Sequence, residues 1–149
     1  MANYQNHVVD PSYFFDAIEQ FAFDYDAYIV INKDVDDYGR VISNFDKVTV
    51  RGSLQTQGVQ VVRSKTGNTH DIIYNFYCKS LYRLKPNDVI FYKNQYLLVI
   101  DVHDYDEWGV RSCKLKAIQL TKYNDLHEYI KYINGEVIIW LLQLMIFLN

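Results

Sequence analysis

The sequence predicts a mainly β protein, a small β-barrel or sandwich of antiparallel strands with an N-terminal helix and a short C-terminal helix. Two observations carry this. The 149 residues include 14 Tyr and 8 Phe against only 6 Gly and 2 Pro, and rings and branched side chains fit a pleated, half-buried surface. Stretches of two-residue alternation also recur along the chain, separated by polar turn clusters.

A chain of this length suits one domain. We divide it into residues 1–45 (N-terminal helix and strand), 46–120 (barrel core) and 121–149 (C-terminal helix and hydrophobic arm). Residues 11–25, "PSYFFDAIEQFAFDY", place Phe14, Ile18, Phe21 and Tyr25 at helical spacing behind Pro11 and Ser12, with Asp16 and Glu19 early, as an amphipathic helix requires. "AYIVIN" (27–32) reads as a strand, and "KDVDDYGR" after it as a turn with Gly39. "DKVTVRGSLQ" (46–55) alternates as a half-buried strand with a bulge expected at Gly52.

Residues 58–80 hold two strand-like runs, Val59 to Arg63 and Ile72 to Cys78. The polar segment between them contains Gly67 and Asn68 and reads as a loop longer than a tight hairpin, projecting from the domain. Pro86 and Asn87 suit a turn before Val89 to Tyr92; Lys93, Asn94 and Gln95 supply another before the apolar Tyr96 to Val102. Val110 to Leu120 alternates with Cys113, Leu115 and Ala117 inward, completing the meander. "YNDLHEYIKYINGE" (123–136) spaces Leu126, Tyr129, Ile130 and Ile133 as a short helix, with Asn124 or Asp125 as cap and Gly135 as its stop. "VIIWLLQLMIFL" (137–148) is shorter than the about 20 residues of an ordinary transmembrane helix and is broken by Gln143, so a segment buried in the core or against another subunit is expected. No membrane association is expected.

Net charge is −3, which argues against a freestanding nucleic-acid binder. Arg51, Arg63, Lys65, Lys79, Arg83 and Lys85 nevertheless all fall between 51 and 85, as a local basic strip or as protected strand edges. The N-terminus carries neither the basic nor the apolar region of a signal peptide. Cys78 and Cys113 form no metal-ligand spacing and read as buried free thiols.

Phosphate-loop, dinucleotide-binding, zinc-protease and serine-hydrolase motifs are absent from the sequence, and neither catalytic residues nor cofactors are expected. The densest cluster of ligand-type side chains is "DVHDYDE" (101–107), where Asp101, His103 and Asp104 are metal-ligand types; a solvated hairpin turn is the simpler reading. "DVDDY" (34–38) offers the same two readings. His7, His70 and His127 lie apart and read as surface or partner-contact histidines. A metal-dependent hydrolase would rest on the acidic clusters alone. A different alternative is an OB-like or SH3-like module binding single-stranded nucleic acid, with Tyr74, Phe76, Tyr77 and Tyr82 as stacking platforms.

Two segments carry a family resemblance: "DKVTVRGSLQTQG", with Gly52, Leu54 and Gln55, and "IIYNFYCKSLYRLKPNDVIFYKNQYLLVIDVHDYDEWGVRSCKLKAI", with Asp88, Tyr96, Val99, Val102, Asp104, Tyr105 and Gly109. Over residues 46–120 the chain resembles the head-completion, or head-tail connector, proteins of tailed bacteriophages. Asn87 departs from the pattern, standing where Gly is common before the Asp. The resemblance implies a non-enzymatic virion protein, stopper or adaptor, assembled in the host cytoplasm as a ring of about six or twelve copies. Such a ring closes the DNA-filled head below the portal or adaptor and docks tail proteins at the neck. It further implies a long loop, here Gln57 to His70, that approaches packaged double-stranded DNA with Arg63, Lys65 and His70. Tyr105, Trp108 and Trp140 are the expected contacts to other subunits or the tail.

Overall fold

The computed structural model describes residues 11–64 and 67–148. Helix α1 (Pro11–Gln20) leads into strands β1 (Phe23–Val35), β2 (Val41–Ser64), β3 (Gly67–Lys79), β4 (Val89–Tyr92), β5 (Gln95–Tyr105) and β6 (Val110–Ile118), and helix α2 (Asn124–Leu148) follows. The six strands close into an antiparallel barrel in the order β1-β2-β3-β6-β5-β4. The mainly β class with a helix at each end is therefore as the sequence predicts, and the closed barrel is the form it takes. Its wall begins at Phe23 rather than at residue 46, because β1 is one of its staves.

Alternation sends Ala27, Val50, Phe76, Cys78, Leu97, Val99, Cys113 and Leu115 into the barrel, where each is buried. Phe76 meets Tyr25 edge-on, with ring centroids 5.8 Å apart at 84°. This packing explains why the first helix stops early. Tyr25, at helical spacing in the sequence, belongs to β1 and points at the core, so the helix ends at Gln20. Arg51 holds the end of α1 to the barrel through Glu19 at 3.1 Å and pairs with Asp24 at 3.4 Å.

Gly52 is not a bulge. It pairs in register with Phe23 on one side and Cys78 on the other, and the irregularities fall instead between Val30 and Asn32 and between Thr56 and Gly58. A Cβ at Gly52 would lie 2.5 Å from the tip of the Phe76 ring and 2.5 Å from the Tyr77 carbonyl oxygen. Glycine is there because the Phe76 ring occupies its face.

The segment 58–72 also differs from the sequence reading. Strands β2 and β3 stay paired out to Ser64↔Gly67, so residues expected in a broad loop form ladder. The partner of β3 on its other edge, β6, reaches only to Ile73, and that of β2, β1, only to Gly52. Beyond these points the two strands form a two-stranded ribbon that leaves the barrel wall. Ala117, expected inward, is exposed where the wall ends next to that ribbon.

Closure between β1 and β4 rests on only two register pairs, Ala27↔Ile90 and Tyr28↔Val89. Asp88, wholly buried, continues the seam with its side chain. Its Oδ1 accepts from the Val30 amide at 2.9 Å and its Oδ2 from the Lys85 amide at 2.9 Å. The Lys85 ammonium reaches the carboxylate at 3.2 Å and the Val30 carbonyl at 2.7 Å. Asn87 before it has φ +79°, in the left-handed region that glycine and asparagine adopt most readily. The β4–β5 hairpin turns through Lys93 and Asn94, both at positive φ, as a tight two-residue turn demands. Glycine suits the second position better, so Asn94→Gly is expected to stabilise the fold by about 0.5–1 kcal/mol, read as a raised urea midpoint; a lowered midpoint would contradict this turn.

Outside the barrel, Leu126 and Ile130 of α2 pack on Tyr28, Val89 and Leu98. Asp125 accepts from the Ser43 amide at 2.9 Å and the Tyr129 hydroxyl from the Lys47 amide at 3.1 Å. Gly135 does not end the helix, which runs on to Leu148 as one 25-residue element. Residues 138–148 therefore do not enter the core of their own chain, and every side chain from Ile138 to Leu148 is exposed.

Tyr28 lies between the barrel and α2, and burial, then the neighbouring Tyr96, Asp26 and Tyr129, push its phenol up to about 12. A phenol whose folded pKa lies above its unfolded value near 10 favours the folded state below pH 10 and loses that contribution as pH rises towards 12. Stability measured by denaturant at rising pH is expected to fall across this interval, together with tyrosinate absorbance. A flat profile there would place Tyr28 in water.

Candidate interaction surface

The acidic stretch that looks most like a site is taken apart by the fold. Strand β5 continues through Asp104 and Tyr105, and a single 3-10 turn, Asp106–Trp108, makes the reversal. Asp104 faces Arg111 across the β5–β6 ladder and pairs with its guanidinium, which also donates to the Leu84 carbonyl. Ser80 donates to the same carboxylate at 3.2 Å. Asp101 and His103 stand 3.4 Å apart on the exposed side. Asp104 is thus a clasp between strands, while Asp101 and His103 form a surface pair.

The second acidic cluster is a hairpin tip. Asp36 Oδ1 accepts from the amides of Tyr38 at 2.9 Å and Arg40 at 2.8 Å, and Gly39 takes φ +78°. The Arg40 amide bond, foremost, holds the Asp36 carboxyl below its ordinary range. Among the described residues, no group of three or more His, Cys, Asp or Glu is placed to hold a metal ion.

Cys78 and Cys113 are both buried and free. Contact with Cys78, then burial, drives the Cys113 thiol far above its ordinary range. Both cysteines are expected to resist alkylation in native buffer and to react once denaturant is added; rapid native labelling would contradict this packing.

The nucleic-acid alternative loses its central ring. Phe76 is fully buried, and Tyr74 and Tyr82 pack partly against the core. The basic strip is likewise dispersed, since Arg51 and Lys85 are engaged by Glu19, Asp24 and Asp88. Arg63 and His70 fall on the ribbon, in the pairs Arg63↔Asn68 and Val61↔His70. Their side chains lie outside the described residues, as does Lys65.

What remains exposed and chemically distinctive is apolar. Tyr105 and Trp108 stack with centroids 5.9 Å apart and planes at 13°. With Tyr77, Val110 and Ile18 of α1 they line a hollow of about 400 Å³. A second hollow of about 740 Å³ is lined by Phe21, Phe23, Tyr25, Leu54 and Tyr92; the two meet at Ser53 and Gln55. Together they make an apolar trough along one end of the barrel, with Phe21 59% and Phe23 66% exposed. Trp140, 73% exposed, stands apart from it on α2. Tyr105, Trp108 and Trp140 stand out in the sequence as contact residues, whereas Phe21 and Phe23 are hidden there by the helical spacing of residues 11–25.

The chain matches no protein-family model and no curated protein.

Proposed function

We propose that this chain is a non-enzymatic assembly protein, a ring-forming connector of a tailed-phage neck that closes the DNA-filled head and docks the tail. The observation that carries the reading is what the surface presents. A closed barrel extends a two-stranded ribbon, with an apolar trough at the ribbon's base and an exposed apolar helix, α2, rooted elsewhere on the barrel. Large exposed apolar patches mark contacts with other proteins or with a membrane. Asp36 and Asp104, one in each acidic cluster, are engaged in turn and strand contacts, which favours an assembly role over a metal hydrolase.

In this proposal the barrels form the ring wall, with portal or adaptor above and tail proteins below. The ribbon on which Arg63 and His70 fall, with Lys65 next to it in sequence, approaches packaged DNA. A net charge of −3 keeps the remaining wall from binding DNA along its length, while a few ribbon cations hold it locally. Labelling of the chain in intact particles tests this: a label at the head-tail junction is expected. Particles that contain no copy of the chain, or a label spread over the head, would overturn it.

A further inference from the structure

The segment Ile138–Leu148 is apolar around its whole circumference apart from Gln143, with apolar side chains from 51% exposed at Leu144 to 85% at Phe147. A helix apolar on all sides requires a cover. Its ten apolar side chains expose on the order of 1,000 Å², more than the about 800 Å² that one partner contributes to a standard stable interface. Among its described residues the same chain exposes a second apolar surface, the trough beside Phe21, Phe23 and the Tyr105–Trp108 stack.

These two surfaces lie far apart on one molecule. Helix α2 is rooted at Ser43, Phe45 and Lys47 of β2, whereas the trough is lined by Ser53, Leu54 and Gln55 of the same strand. Between six and twelve residues of strand separate them, at least about 20 Å at 3.3 Å per residue. We propose that the Ile138–Leu148 arm of one copy seats in the trough of the next copy. This inference rests on the ring-forming reading and adds the contact that makes the ring. An arm at one end and a socket at the other make a head-to-tail interface, which closes into a ring when the rotation per copy allows it.

Lipid is the less suited cover. Helix α2 as a whole is long and apolar enough to cross a membrane, but it packs on the barrel as far as Ile133, and the run beyond is about 22 Å, against about 30 Å of bilayer hydrocarbon. Pairing of arms with one another would leave the trough bare.

The test mixes two variants of the full chain. One carries Leu142→Lys and Ile146→Lys, which spoil the arm and leave the trough; the other carries Phe21→Glu and Phe23→Glu, which spoil the trough and leave the arm. All four positions are exposed, so each variant is expected to fold, with circular dichroism as the check. Each alone should sediment as a monomer, and the mixture should give a 1:1 heterodimer. Self-association of the trough variant alone would mean that arms pair with arms, and would overturn the proposal. Rings of the arm variant as large as those of the unaltered chain would overturn it too, while leaving the ring reading standing. An unaltered chain that stays monomeric and floats with phosphatidylcholine vesicles would overturn both.

Discussion

Asp88→Ala is expected to destabilise the protein by about 3–5 kcal/mol in urea denaturation, a large share of the stability of a domain this size. The buried carboxylate accepts from two backbone amides on different elements and from the Lys85 ammonium. Its removal leaves the Val30 amide without an acceptor where the β1–β4 ladder has ended. The half-exposed Lys85 ammonium regains water and adds little to the cost. Asp88→Asn keeps one acceptor oxygen and should lose about half as much. A loss below about 1 kcal/mol for the alanine variant would mean that the seam closes without this side chain.

Gly52→Ala is the second large effect, about 2–3 kcal/mol of destabilisation. The added methyl meets both a ring and a backbone carbonyl at 2.5 Å, and the carbonyl belongs to the paired strand and moves only with the ladder. Phe76→Ala alone should cost about 3–5 kcal/mol through the cavity it leaves. Together the two substitutions should cost at least about 1 kcal/mol less than their sum, because removing the ring frees half of the space that the methyl needs. Strict additivity in this double-mutant cycle would mean that the ring does not occupy the face of Gly52.

Much of the barrel was legible because alternation is a local signal. Val48 to Val50, Tyr96 to Val102 and Cys113 with Leu115 announce their faces without reference to the rest of the chain. What was missed depends on distant partners. Tyr25 fits a helical spacing, and only the Phe76 ring and the β2 ladder draw it into a strand. Gly135 reads as a helix stop, yet glycine costs a helix interior only about 1 kcal/mol, and the helix formers after it carry the helix on. The ribbon read as a loop because polar residues such as Thr69 and Asn68 mark turns as readily as exposed two-stranded ladder. Asp88 appeared as a motif letter, and its work as a seam became visible only with Val30, 58 residues away, beside it. For the interaction surface, aromatic richness gave the kind of chemistry, while the trough needed α1, β1, β3 and β6 brought together.

The mass in solution of the unaltered chain, measured by sedimentation equilibrium and accompanied by electron micrographs, tests the central claim most directly. A ring-forming connector gives a closed ring with a fixed whole number of copies. A chain that remains a monomer at high micromolar concentration, with no ring in the micrographs, would contradict it.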